Sequence, residues 1–134
     1  MSKGHERHQE RHFGLSLFGK DLVRRSSSHC ELCGAQGVKL RIYEVSPLPQ
    51  EPDFDHCTMI CEGCLAQINN PKIRDHNHWR CLNQSIWSET PAVKVLAIAM
   101  LQKMAEEERW AVELLEQLYL QPEDQAWLEQ VKLP

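Results

Sequence analysis

Two cysteine pairs, Cys30-x-x-Cys33 and Cys61-x-x-Cys64, constrain this chain more than any other feature. A C-x2-C pair sets two thiolates on one side of a tight turn, and two such pairs can close a tetrahedron around one metal ion. A single pair would suit redox chemistry or chance as well as metal. Two pairs at this separation favour a tetrathiolate site over four buried or redox cysteines without metal.

The reason for needing a metal lies in the size of the chain. Its 134 residues suit one ordinary domain, or a small metal domain with an appendage, and its hydrophobic fraction of 42% allows only a modest core. Trp79, Trp87, Trp110 and Trp127 all fall after the second cysteine pair, so the larger apolar core is expected there. The cysteine region is poor in large apolar groups, and so small a region usually needs a staple. Structural zinc supplies about 10–16 kcal/mol of apparent binding energy at neutral pH.

The net charge of −4 hides an asymmetry. Residues 1–29 hold six Lys/Arg against three Asp/Glu, while residues 82–134 hold four against nine. A dedicated nucleic-acid binder would be basic over a whole face, which excludes that class in its strong form. A basic N-terminal arm making weak nucleic-acid contacts stays open. No apolar run reaches the ~18 residues that span a membrane. The start, MSKGHERHQERH, lacks a secretory h-region. Metal-type cysteine spacing without such a signal fits the reducing cytoplasm.

Along the chain, residues 1–14 read as a mobile polar N-terminus in which His5, His8 and His12 would align only on a helix. Residues 15–70 read as a short helix plus the metal domain. Leu15, Phe18, Leu22 and Val23 form the helix face over Ser16–Arg25, and Ser26-Ser27-Ser28 ends it. Gly34 follows Cys33, as a zinc knuckle requires, because glycine accepts the positive φ that aims amides at sulfur. VKLRIYEV (Val38 to Val45) alternates as a strand, Pro47, Pro49 and Pro52 mark an irregular loop, and HCTMI (His56 to Ile60) returns as its hairpin partner. Cys61 and Cys64 then lead into a short helix, whose N-terminal partial charge favours thiolate. Knuckle, hairpin and helix-borne ligands describe a treble clef; a zinc ribbon with two similar knuckles is the rival topology.

Residues 71–90 read as a polar linker followed by a packing segment with Trp79, Leu82, Ile86 and Trp87. Residues 91–134 read as a helical segment of three helices. Thr90-Pro91 starts a largely buried helix to Ala105. Trp110, Ala111, Leu114, Leu115 and Leu118 outline a second. Pro122-Glu123-Asp124 opens a third, with Trp127, Leu128 and Val131 facing inward. The fold class is α+β: a small four-cysteine zinc-binding treble-clef or zinc-ribbon β-hairpin domain packed with a C-terminal three-helix segment.

Taken together, CELCGA, YEV, HWRCLNQSIWSETPAV and WAVELLEQLYL resemble the N-terminal part of the PhnA family. These small bacterial proteins are named from an alkylphosphonate-utilisation gene cluster and are distinct from the phosphonoacetate hydrolase that shares the name. The resemblance runs from about Ser28 to Val131 and implies the metal set Cys30, Cys33, Cys61 and Cys64. It transfers no catalytic residue. Longer members continue into a small β-barrel domain, and any function residing there is expected to be absent from this chain.

Four thiolates fill a tetrahedron, so the metal reads as one structural zinc, with iron compatible with the same cage. Cys57, of the same strand parity as Met59 and Cys61, and Cys81, beside Leu82, read as small buried hydrophobes. The sharper alternative for each is a spare ligand or redox thiol. His29 and His56 are substitute ligands only if a C-x-x-C cysteine is unused. Asp75-His76-Asn77-His78 resembles a piece of an HNH nuclease, but Tyr43-Glu44-Val45-Ser46-Pro47 lacks the base histidine such enzymes carry there. His76 and His78 therefore read as surface residues, and no catalytic residue is assigned. A Gly-rich phosphate loop, G-x-S-x-G and H-E-x-x-H are all missing. Lys39, Arg41, Lys72, Arg74 and Arg80, with Tyr43 and Trp79, would clamp a single strand only if they gathered on one surface.

The functional expectation is a non-enzymatic interaction or adaptor module with a protein partner, the apolar C-terminal helices offering a route to a homodimer. A nucleic-acid-binding zinc protein is the first alternative, and a metal-dependent hydrolase or nuclease on a treble-clef scaffold the second.

Overall fold

The structure is a computed structural model that describes residues 3–134, with side chains from residue 10 onward. The chain opens with two helices, α1 (Lys3–Ser16) and α2 (Gly19–Ser26). A helix thus covers most of the segment expected to be a mobile arm. It is tied to the hairpin by Arg11, whose guanidinium pairs with Glu44 and donates to the Pro49 carbonyl at 3.0 Å. The side chains of His5 and His8 lie outside the described residues, and His12 is exposed.

The serine run ends α2 by taking left-handed backbone. Ser27 and Ser28 have φ of 53° and 59°, and their amides close onto Arg24 and Val23. That conformation is costly for residues with a Cβ, and short polar side chains tolerate it best.

After the first cysteine pair come β1 (Leu40–Glu44) and β2 (Cys57–Cys61), an antiparallel pair in register from Leu40 opposite Cys61 to Glu44 opposite Cys57. The first strand is shorter than the alternation predicts. Val38 lies outside it, 48% exposed, because Gly37 at φ +70° turns the chain just before. β2 runs directly into α3 (Glu62–Asn69). Short 3-10 turns at Pro71–Ile73 and His78–Cys81 lead to a single helical turn, α4 (Leu82–Ser85). The C-terminal helices follow: α5 (Pro91–Ala105), α6 (Arg109–Glu116) and α7 (Pro122–Gln130). Thr90 and Pro91 start α5 as expected, with Pro at its first position, where no amide is needed.

Both faces of the hairpin are covered, because alternate residues serve different cores. On one face Leu22, Cys57 and Met59 form a small cluster with Leu15, Phe18, Leu40, Ile42 and Phe54. On the other, Val45 and Ile60 join Ile68, Trp79, Leu82, Ile86 and α5 in the main core. Ten of the 15 residues of α5 are buried, which makes it the central element rather than an amphipathic surface helix. Trp79, Leu82 and Ile86 are buried as the packing segment requires, but Trp87 is 50% exposed.

Main core and cysteine region are continuous: Cys30, Leu32, Cys61 and Cys64 share one cluster with α5, Ala111, Leu114 and Leu128. α7 closes back over the hairpin end. The Trp127 ring lies 4.5 Å from that of His56 and its Nε1 donates to the Ser46 carbonyl at 2.9 Å, while the Lys132 amide donates to Ser46 Oγ. No helix among the described residues is long and apolar enough to cross a membrane.

Candidate metal centre

The two cysteine pairs, distant in sequence, meet at one point. One sulfur from each of Cys30, Cys33, Cys61 and Cys64 lies within 4.8 Å of all the others. Cys30 Sγ is 3.8 Å from Cys64 Sγ, and Cys33 Sγ is 3.7 Å from Cys61 Sγ. Sulfurs placed about 2.3 Å from a central metal at the corners of a tetrahedron stand about 3.8 Å apart. The spacing therefore suits a single four-coordinate ion.

Local structure explains the arrangement. In the first pair, the Cys33 amide points at Cys30 Sγ at 3.4 Å, the Gly34 amide bonds the Cys30 carbonyl at 2.8 Å, and Gly34 takes φ +79°. A Cβ at that φ would strain the turn. The second pair sits where β2 becomes a helix. Cys61 is the N-cap of α3, in extended backbone, and its sulfur accepts from the Cys64 amide at 3.4 Å. Sulfur thus takes the part that an Asp or Ser side chain plays at an ordinary N-cap.

Glu31 braces the first pair. Its amide bonds the Met59 carbonyl at 2.8 Å, and its carboxylate accepts from the Met59 amide at 2.7 Å. Arg25 of α2 grips the same carboxylate through Nε and Nη2, at 3.0 and 2.7 Å, and also donates to the Cys57 carbonyl. A knuckle on a loop is thereby fastened to strand and helix.

As thiols Cys30, Cys33 and Cys64 conflict. The hydrogen bond between Cys30 and Cys64 draws the Cys30 thiol down to about 4, and amides of Cys33, Cys61 and Leu32 add to it. The same bond to Cys30, burial and the neighbouring sulfurs push Cys64 far up. Burial pushes Cys33 up to about 11, against the Ala35 amide. Burial and the neighbouring sulfurs thus disfavour a second anion among Cys30, Cys33 and Cys64, a cost that a bound cation would relieve.

The remaining candidates divide. Cys57 faces α2, away from the cage, and donates to the Asp53 carbonyl at 3.3 Å. Cys81 packs against the main core, and burial, then the charges of Cys33, Cys30 and Cys61, push it up to about 12. His29 Nδ1 bonds the Ser27 carbonyl and His56 Nδ1 the Val45 carbonyl, so neither completes the sulfur set.

The histidines of the DHNH string are half-buried and make specific contacts. His76 is held between carboxylates, with Nδ1 2.8 Å from Glu108 and Nε2 3.2 Å from Glu107. His78 Nε2 stands 3.3 Å from Cys64 Sγ. Sequence reasoning missed this contact. Its one signal was the position of His78 beside Trp79, an anchor that had to be buried. Several of the basic residues are engaged within the fold. Lys39 and Arg41 both reach Glu62, Arg74 donates to the Gln67 and Ile68 carbonyls at 2.8 Å, and Arg80 lies over the Trp110 ring.

No family model, curated protein or solved structure matches this chain.

Proposed function

We propose that Cys30, Cys33, Cys61 and Cys64 hold one zinc ion as the structural centre of a treble-clef-like module, and that the protein acts as an interaction or adaptor module rather than an enzyme. The single observation behind this is the sulfur geometry, with 3.7 and 3.8 Å contacts inside a group spanning no more than 4.8 Å. Four thiolates leave no corner for water or substrate, whereas catalytic zinc keeps a position open. Bound there, the ion supplies charge balance and a cross-link between two turns, and no Lewis-acid step. The treble-clef description is supported by the order of parts: a glycine-ended knuckle, the β1–β2 hairpin, then a second pair whose leading cysteine caps α3. The resemblance of the sequence to the PhnA family implies the same four ligands and no more. Exposed aromatic groups such as Trp87 and Tyr119, at 50% and 82%, suit contact with a protein partner.

Native mass spectrometry of chain purified without added metal tests the reading. One zinc per polypeptide is expected, lost together with compact charge states when a strong chelator is added. Iron in equal stoichiometry would keep the cage and change its ion. A folded chain carrying less than one equivalent of any metal would reject the cage.

A further inference from the structure

We propose that His78 is a positioning residue of the metal centre, its Nε2–H donating a hydrogen bond to the Cys64 sulfur. The inference rests on the metal reading above and adds a fifth residue to it.

The sulfurs are not served alike. Cys30 accepts from the Cys33 amide and Cys61 from the Cys64 amide, each at 3.4 Å. Those donors are free because they sit in an open turn or at a helix start. Cys64 lies inside the first turn of α3, and the amides that follow it are spent on helix bonds. Its donor among the described residues, apart from the neighbouring thiols, comes from another segment: His78 Nε2 at 3.3 Å. A metal-bound thiolate carries no proton, so the ring must be the donor in that pair.

The ring is held in place by the helix that carries Cys64. Trp79 is fully buried and its Nε1 donates to Gln67 Oε1 at 2.8 Å. The same oxygen accepts the Asp75 amide at 2.8 Å, and Arg74 clamps the carbonyls of Gln67 and Ile68. His78 stacks edge-on against Trp79, with centroids 5.0 Å apart at 88°. Sulfur and donor therefore share one scaffold. Four thiolates around a divalent ion leave excess negative charge, and each N–H donor spreads it; such outer partners govern how tightly a metal is kept.

The test uses the full chain with His78→Phe, which keeps an aromatic ring against Trp79 but has no donor, and His78→Gln, which keeps an N–H. Zinc affinity by chelator competition should fall about 10–100-fold in His78→Phe and recover in part in His78→Gln. In cobalt-loaded protein the sulfur-to-metal charge-transfer band should move to lower energy in His78→Phe. Wild-type affinity and an unmoved band in His78→Phe would overturn the role of His78 while leaving the cage intact. Should that variant not fold, ring nitrogen NMR of zinc-loaded wild type decides: a protonated Nε2 supports the proposal, and a bare or metal-bound Nε2 overturns it. Wild type that takes up neither cobalt nor zinc rejects the cage itself, and this proposal with it.

Discussion

At the residue scale, Cys57 and Cys61 show how position decides the chemistry of one side-chain type. They share strand parity, yet Cys57 lies on the α2 side of the hairpin and Cys61 turns into the cage. The strand ends at Cys61, and entering α3 re-aims its side chain. Cys57 is consequently an ordinary buried thiol. Burial, then the Glu44 charge, pushes it up to about 11, above the roughly 8.5 of an unfolded cysteine. With the folded value above the unfolded one, its contribution to stability is whole below about pH 8.5 and disappears as pH climbs through its folded value. Urea unfolding of zinc-saturated protein across that window should therefore show declining stability, with a shallower decline in Cys57→Ala. Parallel curves for the two proteins would refute this. The four cysteines that meet were legible in the sequence because C-x2-C spacing is local. Cys57 and Cys81 pack as the small hydrophobes they read as, whereas the contact of His78 was not legible, since it depends on what a distant segment brings alongside.

At the element scale, α2 and the first cysteine turn are joined by the Arg25–Glu31 pair, with side chains 20% and 8% exposed. Glu31 also works as an extra rung on β2, through both its amide and its carboxylate. Removing the carboxylate leaves the Met59 amide and the Arg25 guanidinium without their partner. Glu31→Ala should thus cost about 2–4 kcal/mol, read as a lower urea midpoint at unchanged m-value. Arg25→Lys should recover little of an Arg25→Ala loss, because a lysine cannot serve two carboxylate oxygens and the Cys57 carbonyl in one fork. Variants indistinguishable from wild type would show the brace to be idle. Local patterns announced most elements. The triple serine ended α2, Thr90-Pro91 opened α5, and period-two alternation marked β1. They did not announce α1, whose polar sequence carries little signal and whose contact with the hairpin runs through Arg11 and Glu44 on β1. Trp87 was misplaced for a related reason. It follows a buried run, but α4 ends at Ser85 and the chain turns it outward.

At the scale of the whole molecule, the cage and the helices share one core, from Cys30 through α5 to Leu128. α7 then seals the hairpin end by way of Trp127, Ser46 and His56. Losing the metal should not melt a peripheral finger alone. The apparent energy of a structural zinc, about 10–16 kcal/mol, matches or exceeds the whole stability of a typical domain, about 5–15 kcal/mol. A strong chelator, or Cys33→Ser, should collapse amide NMR dispersion over residues 30–68 and also blunt the near-UV signal of buried Trp79. Dispersion unchanged after complete metal removal would contradict the structural role. By itself the sequence determined the cysteine set, the hairpin, the buried helix at α5 and the α+β class, since each is written in spacing or periodicity within a short window. Only the tertiary structure decided that Cys57 faces α2, that α1 is tied to the hairpin, and that His78 meets Cys64. Those outcomes arise from contacts between segments far apart in the chain, which no local pattern encodes.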